Sequence, residues 1–174
     1  MKADLRQAAK GDAPAHKRQF LSFRLAGEEY GVDILRVQEI RGWTSVTVLP
    51  HAPDWSLGVV DLRGCMVPVI DLRRRLNFDR AAFGPATVVI VLHLEYNGET
   101  RRVGLVVDEV SEVYDVLDSQ LRPLPDIGST DAFKSIEGLA QVGSRTIILL
   151  DAVYLVLGAS ASLGQDIPSL AELG

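Results

Sequence analysis

Residues Gly58 to Arg73 have the sequence GVVDLRGCMVPVIDLR, in which two apolar runs flank the pair Arg63-Gly64. Valine-rich runs of this length, bounded by turn residues, are typical of buried strands. Gly64 suits the turn because it adopts a positive φ without a Cβ clash. The segment therefore predicts a hairpin. Strand alternation places Asp61 and Arg63 on one face and the alternate apolar residues on the other.

The residues around this hairpin give three further local signals. Pro68 has no N–H to donate to a ladder, which favours an edge strand or a bulge for the second run. Asp71 is a suitable N-cap for a short basic helix over residues 72–76. Residues 54–57 are expected to form one helical turn before the hairpin.

The overall composition limits the class of protein. The 174 residues carry a formal charge of −5 and are 47% hydrophobic, which suits one domain or two small halves sharing a core. The mild acidity argues against a nucleic-acid surface, which usually carries a clustered basic excess. Cys65 is the only cysteine, so an internal disulfide is excluded and a reducing compartment is expected. Apolar runs are far shorter than the roughly 20 residues that span a bilayer, and the first residues lack the apolar core of a signal peptide. We therefore expect a soluble protein that does not insert into a membrane.

Turn and cap signals divide the rest of the chain into short extended segments. Hairpin turns are expected at Gly27-Glu28, Asn97-Gly98 and Gly143-Ser144. Asp33 is expected to cap a helix over residues 34–38, and Asp151 a helix over residues 152–157 that ends at Gly158.

The sum of these segments, about nine or ten short strands with brief helices, predicts an all-β protein built as barrels or as a sandwich. Hairpin-rich halves before and after about residue 80 favour two small barrels back to back. We expect a tail over residues 1–17, a folded domain over 18–158 made of two barrel subdomains, and a second tail over 159–174.

The residues that carry chemistry do not assemble into a catalytic or metal-binding pattern. The three histidines, at His16, His51 and His93, are far apart in sequence, whereas a zinc site requires three or four ligands, which are typically closely spaced. Cys65 has no base or orienting acid near it in sequence, so a small buried thiol is the simpler interpretation. Most carboxylates lie at turns or helix caps, and nucleotide-binding glycine motifs are lacking. We expect no enzyme activity, no cofactor and no metal.

Two features favour a contact surface for another protein. Arg63 lies at the hairpin rim beside Asp61, and Val37-Gln38-Glu39 places an apolar and an acidic residue at the end of a short helix. An apolar spot ringed by ion-pairing groups is the usual anatomy of a protein interface. The alternatives are an ordinary exposed turn arginine, burial of Val37 in the core, and a solvated Glu39.

Several ordered blocks of the sequence resemble the CheW family of chemotaxis adaptors. These blocks are GEEYGVDILRVQEIRG (27–42), LP (49–50), GVVDLRGCMVPVIDLR (58–73), VGLVVDEVSEV (103–113) and ILLDAVYLV (148–156). The resemblance runs from about residue 19 to 158. It implies two SH3-like β-barrels around a shared apolar core, no catalysis, and two partners. These partners are the cytoplasmic tip of a transmembrane chemoreceptor and the regulatory domain of the histidine kinase CheA.

The resemblance also implies a receptor-facing groove between the barrels, with Val37 at its floor. The positions that match it are Val37, Glu39, Gly58 and Arg63, with Asp61 where many members have Asn. An ionised Asp61 only accepts hydrogen bonds, so it is expected to pair with Arg63. The hairpin that carries Arg101 and Arg102 is longer than is usual in the family. The resemblance does not place the kinase surface on individual residues.

The resemblance further implies a monomer in isolation and a cytoplasmic location at receptor arrays. The alternatives are a module of a different chemosensory-type kinase pathway, a piece of the kinase itself or a fusion with a receiver domain, and a small-ligand enzyme on a barrel scaffold. The lack of ATP-binding and phosphoacceptor motifs argues against the kinase piece and the fusion.

Overall fold

The computed structural model describes residues 16–126, 128 and 130–158. Within this part, the chain forms eleven strands joined mostly by short turns. They are β1 (Lys17–Leu25), β2 (Glu28–Asp33), β3 (Val37–Gly42), β4 (Ser56–Leu62), β5 (Cys65–Asp71), β6 (Val88–Tyr96), β7 (Glu99–Val107), β8 (Glu109–Leu117), β9 (Leu121–Arg122), β10 (Ile136–Val142) and β11 (Arg145–Leu150). The expected tail over 159–174 lies outside the described residues, as do residues 1–15 of the first tail. Lys17 already belongs to β1, where it pairs with Leu117, so the first strand begins within the range expected as tail.

The strands form two sheets. Sheet A has the order β8-β1-β2-β11-β10-β9, and sheet B has the order β3-β6-β7-β5-β4. The N-terminal hairpin β1–β2 thus pairs with strands from the end of the chain, through a parallel contact between β2 and β11. The division near residue 80 is wrong, because sheet B is built from the middle of the chain and sheet A from both ends.

The hydrophobic core has a shared layer and two smaller clusters. The shared cluster takes Phe23 and Tyr30 from sheet A, whose rings stack with centroids 6.1 Å apart, and Ile90 and Leu105 from sheet B. Alternate residues of β6, such as Val91, point to the opposite face and into a cluster formed by sheet B. A third cluster belongs mainly to sheet A. This confirms the all-β class with a core shared between two small units.

The central hairpin β4–β5 is confirmed, with Arg63-Gly64 as its turn and positive φ values of 57° and 84° at these two residues. The inference from Pro68 was wrong in part, because β5 lies inside sheet B, between β7 and β4. Pairing with β7 begins only at Val69, so the missing N–H of Pro68 leaves no gap in that ladder.

The short helices differ from expectation at several ends. The turn that follows Asp33 is a 3₁₀ helix over Ile34–Arg36 and not a helix to residue 38. Residues 54–55 form a turn, and β4 begins at Ser56, so the helical turn expected over 54–57 is wrong. The first hairpin turn lies at Ala26-Gly27, one residue earlier than expected.

Three α-helices occur in the described part: α1 (Leu72–Arg75), α2 (Asp131–Lys134) and α3 (Ala152–Leu157). Asp71 occupies the N-cap of α1 as expected, but its carboxylate makes no capping hydrogen bond. Burial raises the pKa of this carboxyl. Asp151 caps α3 by accepting a hydrogen bond from the Tyr154 amide, and Gly158 ends the helix with φ 56°.

Asp108 joins the two sheets where β7 of sheet B passes to β8 of sheet A. Its carboxylate accepts two hydrogen bonds from the Arg73 guanidinium, at 2.7 and 2.5 Å, and one from the Ala26 amide at 3.0 Å. Burial alone raises the pKa of the Asp108 carboxyl. The hydrogen bonds from Arg73 and Ala26 and the charge of Arg73 outweigh burial, so the pKa lies below its usual range.

Replacing Asp108 with Asn is expected to destabilise the fold at pH 7 by about 1–2 kcal/mol, since a charge-assisted bidentate pair is lost. A depressed folded-state pKa stabilises the protein above the unfolded-state pKa of about 3.9, and this stabilisation disappears as the pH falls through the folded-state pKa. Urea unfolding measures the free energy of unfolding of both proteins at pH 7 and below pH 4. The difference between Asp108→Asn and wild type should be smaller in acid. Asp115→Asn is the control, because Asp115 is half-exposed and pairs with Lys17 at the surface. An Asp108→Asn difference that stays constant with pH would contradict this account.

Candidate functional site

A β-bulge at Gln38 decides which way the side chains of β3 point. Val37 pairs with Leu92 while Glu39 pairs with Val91, so two steps along β3 match one step along β6. Because cross-strand partners share a face, Val37 follows Leu92 toward the shared core and Glu39 follows Val91 toward the other face of sheet B. The bulge therefore separates two residues that simple alternation places together.

Glu39 and Arg63 form an ion pair across sheet B. The Arg63 Nη2 lies 3.3 Å from Glu39 Oε2, although the two residues are 24 positions apart in sequence. Arg41 approaches the other carboxylate oxygen, Oε1, at 3.5 Å. The Arg63 side chain is 86% exposed and that of Glu39 only 24%. The guanidinium is thus held at one end and offers most of its donors to solvent or a partner.

Asp61 does not make the ion pair with Arg63 that was expected. Its Oδ1 instead accepts a hydrogen bond of 2.8 Å from the Gly64 amide. This local bond closes the hairpin turn and helps hold Arg63 in its left-handed conformation at φ 57°. The carboxylate therefore contributes to the site by shaping the turn.

Two shallow depressions meet at the Glu39–Arg63 pair, and Leu62 lines both of them. We call them together the groove. One is also lined by Ile40, Arg41 and Asp61, and the other by Gln38, Val91 and Arg102. Leu62 and Val91, 8% and 1% exposed, are the buried apolar residues at the groove. Charged side chains surround them.

Two of the expected site residues do not line the groove. Val37 is half-buried and packs against the shared core, so the structure does not place it at the floor of the groove, and its contact with a partner stays a prediction. Gly58 is buried, and a Cβ built on it would lie 2.1 Å from the Thr47 carbonyl oxygen. Gly58 does not line the groove, so a role in partner contact stays a prediction.

The groove also contains residues that sequence reasoning did not place there. They are Gln38, Ile40, Arg41, Leu62, Val91 and Arg102. Leu62 and Val91 belong to apolar strand segments without a functional motif, and strand pairing brings Arg102 beside Arg63. The register of β6 against β3 and β7 is the signal that was missing.

The groove suits binding of another macromolecule. It is open and combines apolar residues with exposed guanidinium groups, the composition typical of a protein contact. In the part of the chain that the structure describes, no cluster of His, Cys, Asp or Glu could hold a metal ion. The Cys65 thiol is half-buried at the start of β5.

Comparison with known proteins gives a consistent result. The model of the CheW-like domain matches residues 19–157. The chain is 42% identical over 150 residues to the chemotaxis protein CheW of Klebsiella aerogenes, covering 86% of this chain and 88% of that protein. It is 39% identical to CheW of Rhizobium meliloti, covering 79% and 87% of the two chains. The crystal structure of the scaffolding protein TtCheW from Thermoanaerobacter tengcongensis superposes with a TM-score of 0.70 at 30% identity, covering 83% of this chain and 90% of that one.

Proposed function

The chain belongs to the CheW-like family of chemotaxis scaffold proteins, which are not enzymes, and from this premise we propose that it couples chemoreceptors to a histidine kinase. The proposed partners are the cytoplasmic tip of a transmembrane chemoreceptor and the regulatory domain of the kinase CheA. No cofactor enters this proposal. The protein acts by holding the two partners together.

The observation that carries the proposal is the groove around the Glu39–Arg63 pair. A receptor tip is a helical hairpin, which presents an apolar ridge with charged flanks, and such a helix docks in an apolar groove with a charged rim. Leu62 and Val91 supply the apolar surface at the groove. Arg63 supplies a planar donor group that suits a carboxylate on the partner.

We place the receptor contact at Glu39 and Arg63, with Asp61 shaping the turn, Gly58 holding the segment at Thr47 close to β4, and Val37 supporting β3 from the core side. Glu39 leaves donors of the Arg63 guanidinium free for a partner carboxylate, because it contacts only one Nη of Arg63 and also pairs with Arg41. Docking would bury Arg63 against the partner and strengthen the ion pairing as water leaves.

The proposed location follows from the proposed partners. A receptor-coupling scaffold works at the inner face of the membrane, recruited to receptor arrays. No helix in the described part of the chain is long and apolar enough to cross a membrane. We propose that the receptor supplies the attachment and that the isolated protein is a monomer.

Replacing Arg63 with Ala is expected to weaken binding of a chemoreceptor cytoplasmic fragment by about tenfold, equivalent to about 1.4 kcal/mol. Arg63→Lys should weaken binding as well, because an ammonium does not reproduce the guanidinium fork. Isothermal titration of the purified full chain measures both. Arg24→Ala is the matched control, since Arg24 is an exposed arginine on β1 of sheet A.

The coupling itself requires an assay with both partners. Adding the wild-type chain to receptor fragment and kinase should raise kinase autophosphorylation, and Arg63→Ala should raise it less at equal concentration. Failure of the wild-type chain to bind either the receptor fragment or the kinase regulatory domain would overturn the proposed function. Equal receptor affinity of wild type and Arg63→Ala would remove Arg63 from the contact while leaving the family assignment intact.

A further inference from the structure

The hairpin formed by β6 and β7 extends past the rest of sheet B. Pairing of β3 with β6 ends at Leu92, and pairing of β5 with β7 begins at Gly104. Between these limits, residues 93–102 pair only with each other across the Asn97-Gly98 turn, within the described part of the chain. This part of the hairpin is therefore a two-stranded ribbon, and Leu94 holds its base in the shared core.

Arg102 lies at the base of this ribbon on the side of the groove. The register pairs Val91 with Gly104 and His93 with Arg102, so alternation puts Arg102 on the same face as Val91. The geometry agrees, because Arg102 lines one depression together with Gln38, Glu39 and Arg63. The ribbon therefore adds a side wall to the groove.

Arg102 differs from the other two arginines of the groove in having no acidic partner. Arg41 and Arg63 both lie within 4.0 Å of Glu39, whereas no described carboxylate lies that close to Arg102. Its side chain is exposed. An exposed cation that pairs with no carboxylate of the described residues, beside an open groove, is available to an incoming ligand.

The charges around the groove favour an acidic occupant. Three arginines, Arg41, Arg63 and Arg102, face two carboxylates, and the Asp61 carboxylate already accepts a hydrogen bond from the Gly64 amide. The chain as a whole carries −5. The groove is therefore locally cationic on an acidic protein, which orients an approaching partner by its negative side.

We propose that Arg102 is a second anchoring point of the groove and binds a carboxylate on the acidic flank of the docked receptor helix. This inference rests on the proposed function and specifies the partner's chemistry at that same site. The apolar ridge of the helix lies over Leu62, one flank faces Arg63 and Arg41, and an acidic residue on the flank toward the ribbon meets Arg102.

A rim cation of this kind has a distinct kinetic signature. It attracts the partner before contact, so its loss slows association more than it speeds dissociation. Its loss also makes the affinity less dependent on salt concentration. A purely structural role in the ribbon would instead lower the unfolding midpoint and leave the salt dependence unchanged. The two roles are therefore separable by measurement.

The test uses the purified full chain and the same receptor cytoplasmic fragment, with surface plasmon resonance at about 50 and 300 mM salt, across which screening of exposed charges rises strongly. Arg102→Ala should weaken binding about threefold and Arg102→Glu about tenfold or more at low salt, mainly through association rate. Arg102→Lys should retain most of the affinity. Lys134→Glu is the matched control, because it makes the same charge change at an exposed residue of α2.

The outcomes separate this inference from the proposed function. If Arg63→Ala weakens binding while Arg102→Glu matches Lys134→Glu at both salt concentrations, the role of Arg102 is overturned and the coupling function stands. If the wild-type chain does not bind the receptor fragment, both are overturned. Circular dichroism melting of each Arg102 variant accompanies the binding data. A lowered midpoint with unchanged association kinetics would assign Arg102 to the fold and overturn its role as an anchor.

Discussion

Replacing Gly58 with Ala is expected to destabilise the protein by about 3 kcal/mol, because an added Cβ meets main-chain atoms that have little freedom to move. That Cβ would lie 2.1 Å from the Thr47 carbonyl oxygen and 2.7 Å from the Thr47 carbonyl carbon. Gly58 also has φ +135°, a conformation that side chains rarely adopt. Strain and overlap therefore act together.

The overlap has a specific structural consequence. Thr47 and Val59 exchange two backbone hydrogen bonds of 2.8 Å, which hold the segment before β4 against that strand. Moving Thr47 away breaks both bonds and uncovers the cluster of sheet B, which Trp43 and Val46 help to cover. The main expected effect of Gly58→Ala is therefore a loss of stability, measured as a lower free energy of unfolding.

Chemical denaturation of Gly58→Ala and Gly27→Ala separates overlap from strain. Gly27 also has a positive φ, +86°, but a Cβ there meets no atom within 4 Å. Its substitution should cost only the conformational penalty, about 1 kcal/mol. An equal loss of unfolding free energy in the two variants would show that Thr47 moves aside at little cost and that its close approach to Gly58 is unimportant.

The elements that were predictable from sequence are those governed by local chemistry. The Asn97-Gly98 and Arg63-Gly64 turns follow from backbone conformations that few residues tolerate. Asp151 and Gly158 delimit α3 because a helix end needs an acceptor for its free amides and a residue with positive φ. Each signal lies within a few residues of the structure it specifies.

The features that were not predictable depend on pairing between distant strands. The parallel contact of β2 with β11 joins residues such as Tyr30 and Ile148, and hairpin signals alone suggested a division near residue 80. The position of Pro68 has the same cause, since only the register of β5 against β7 shows that its missing N–H is harmless. Local patterns do not determine register.

The candidate site shows the same limit. The family resemblance singled out Val37, Glu39, Gly58 and Arg63 without saying what each side chain does. Of these, Arg63 is exposed, Glu39 beside it is half-buried, and Gly58 is buried. The bulge at Gln38 had no signal in the sequence, and it reverses the direction in which Val37 points relative to Glu39.

Replacing Val37 with Asp is therefore expected to act on stability, with a loss of about 3 kcal/mol or more, because a carboxylate is forced against apolar side chains. Val37 pairs with the fully buried Leu92 and packs on the shared core between the two sheets. The variant should unfold at lower urea concentration, and at low temperature its folded fraction should bind receptor fragment with nearly wild-type affinity.

Gln38→Asp is the matched control for this prediction, since it introduces the same carboxylate at the next residue of β3, where the side chain is exposed. Its free energy of unfolding should stay within about 0.5 kcal/mol of the wild-type value. A Val37→Asp protein that keeps the wild-type midpoint but loses receptor binding would contradict the orientation set by the bulge. It would mean that Val37 contacts the partner directly. A charged side chain leaves the stability of the fold unchanged only at an exposed position, and it abolishes docking only where the receptor makes contact.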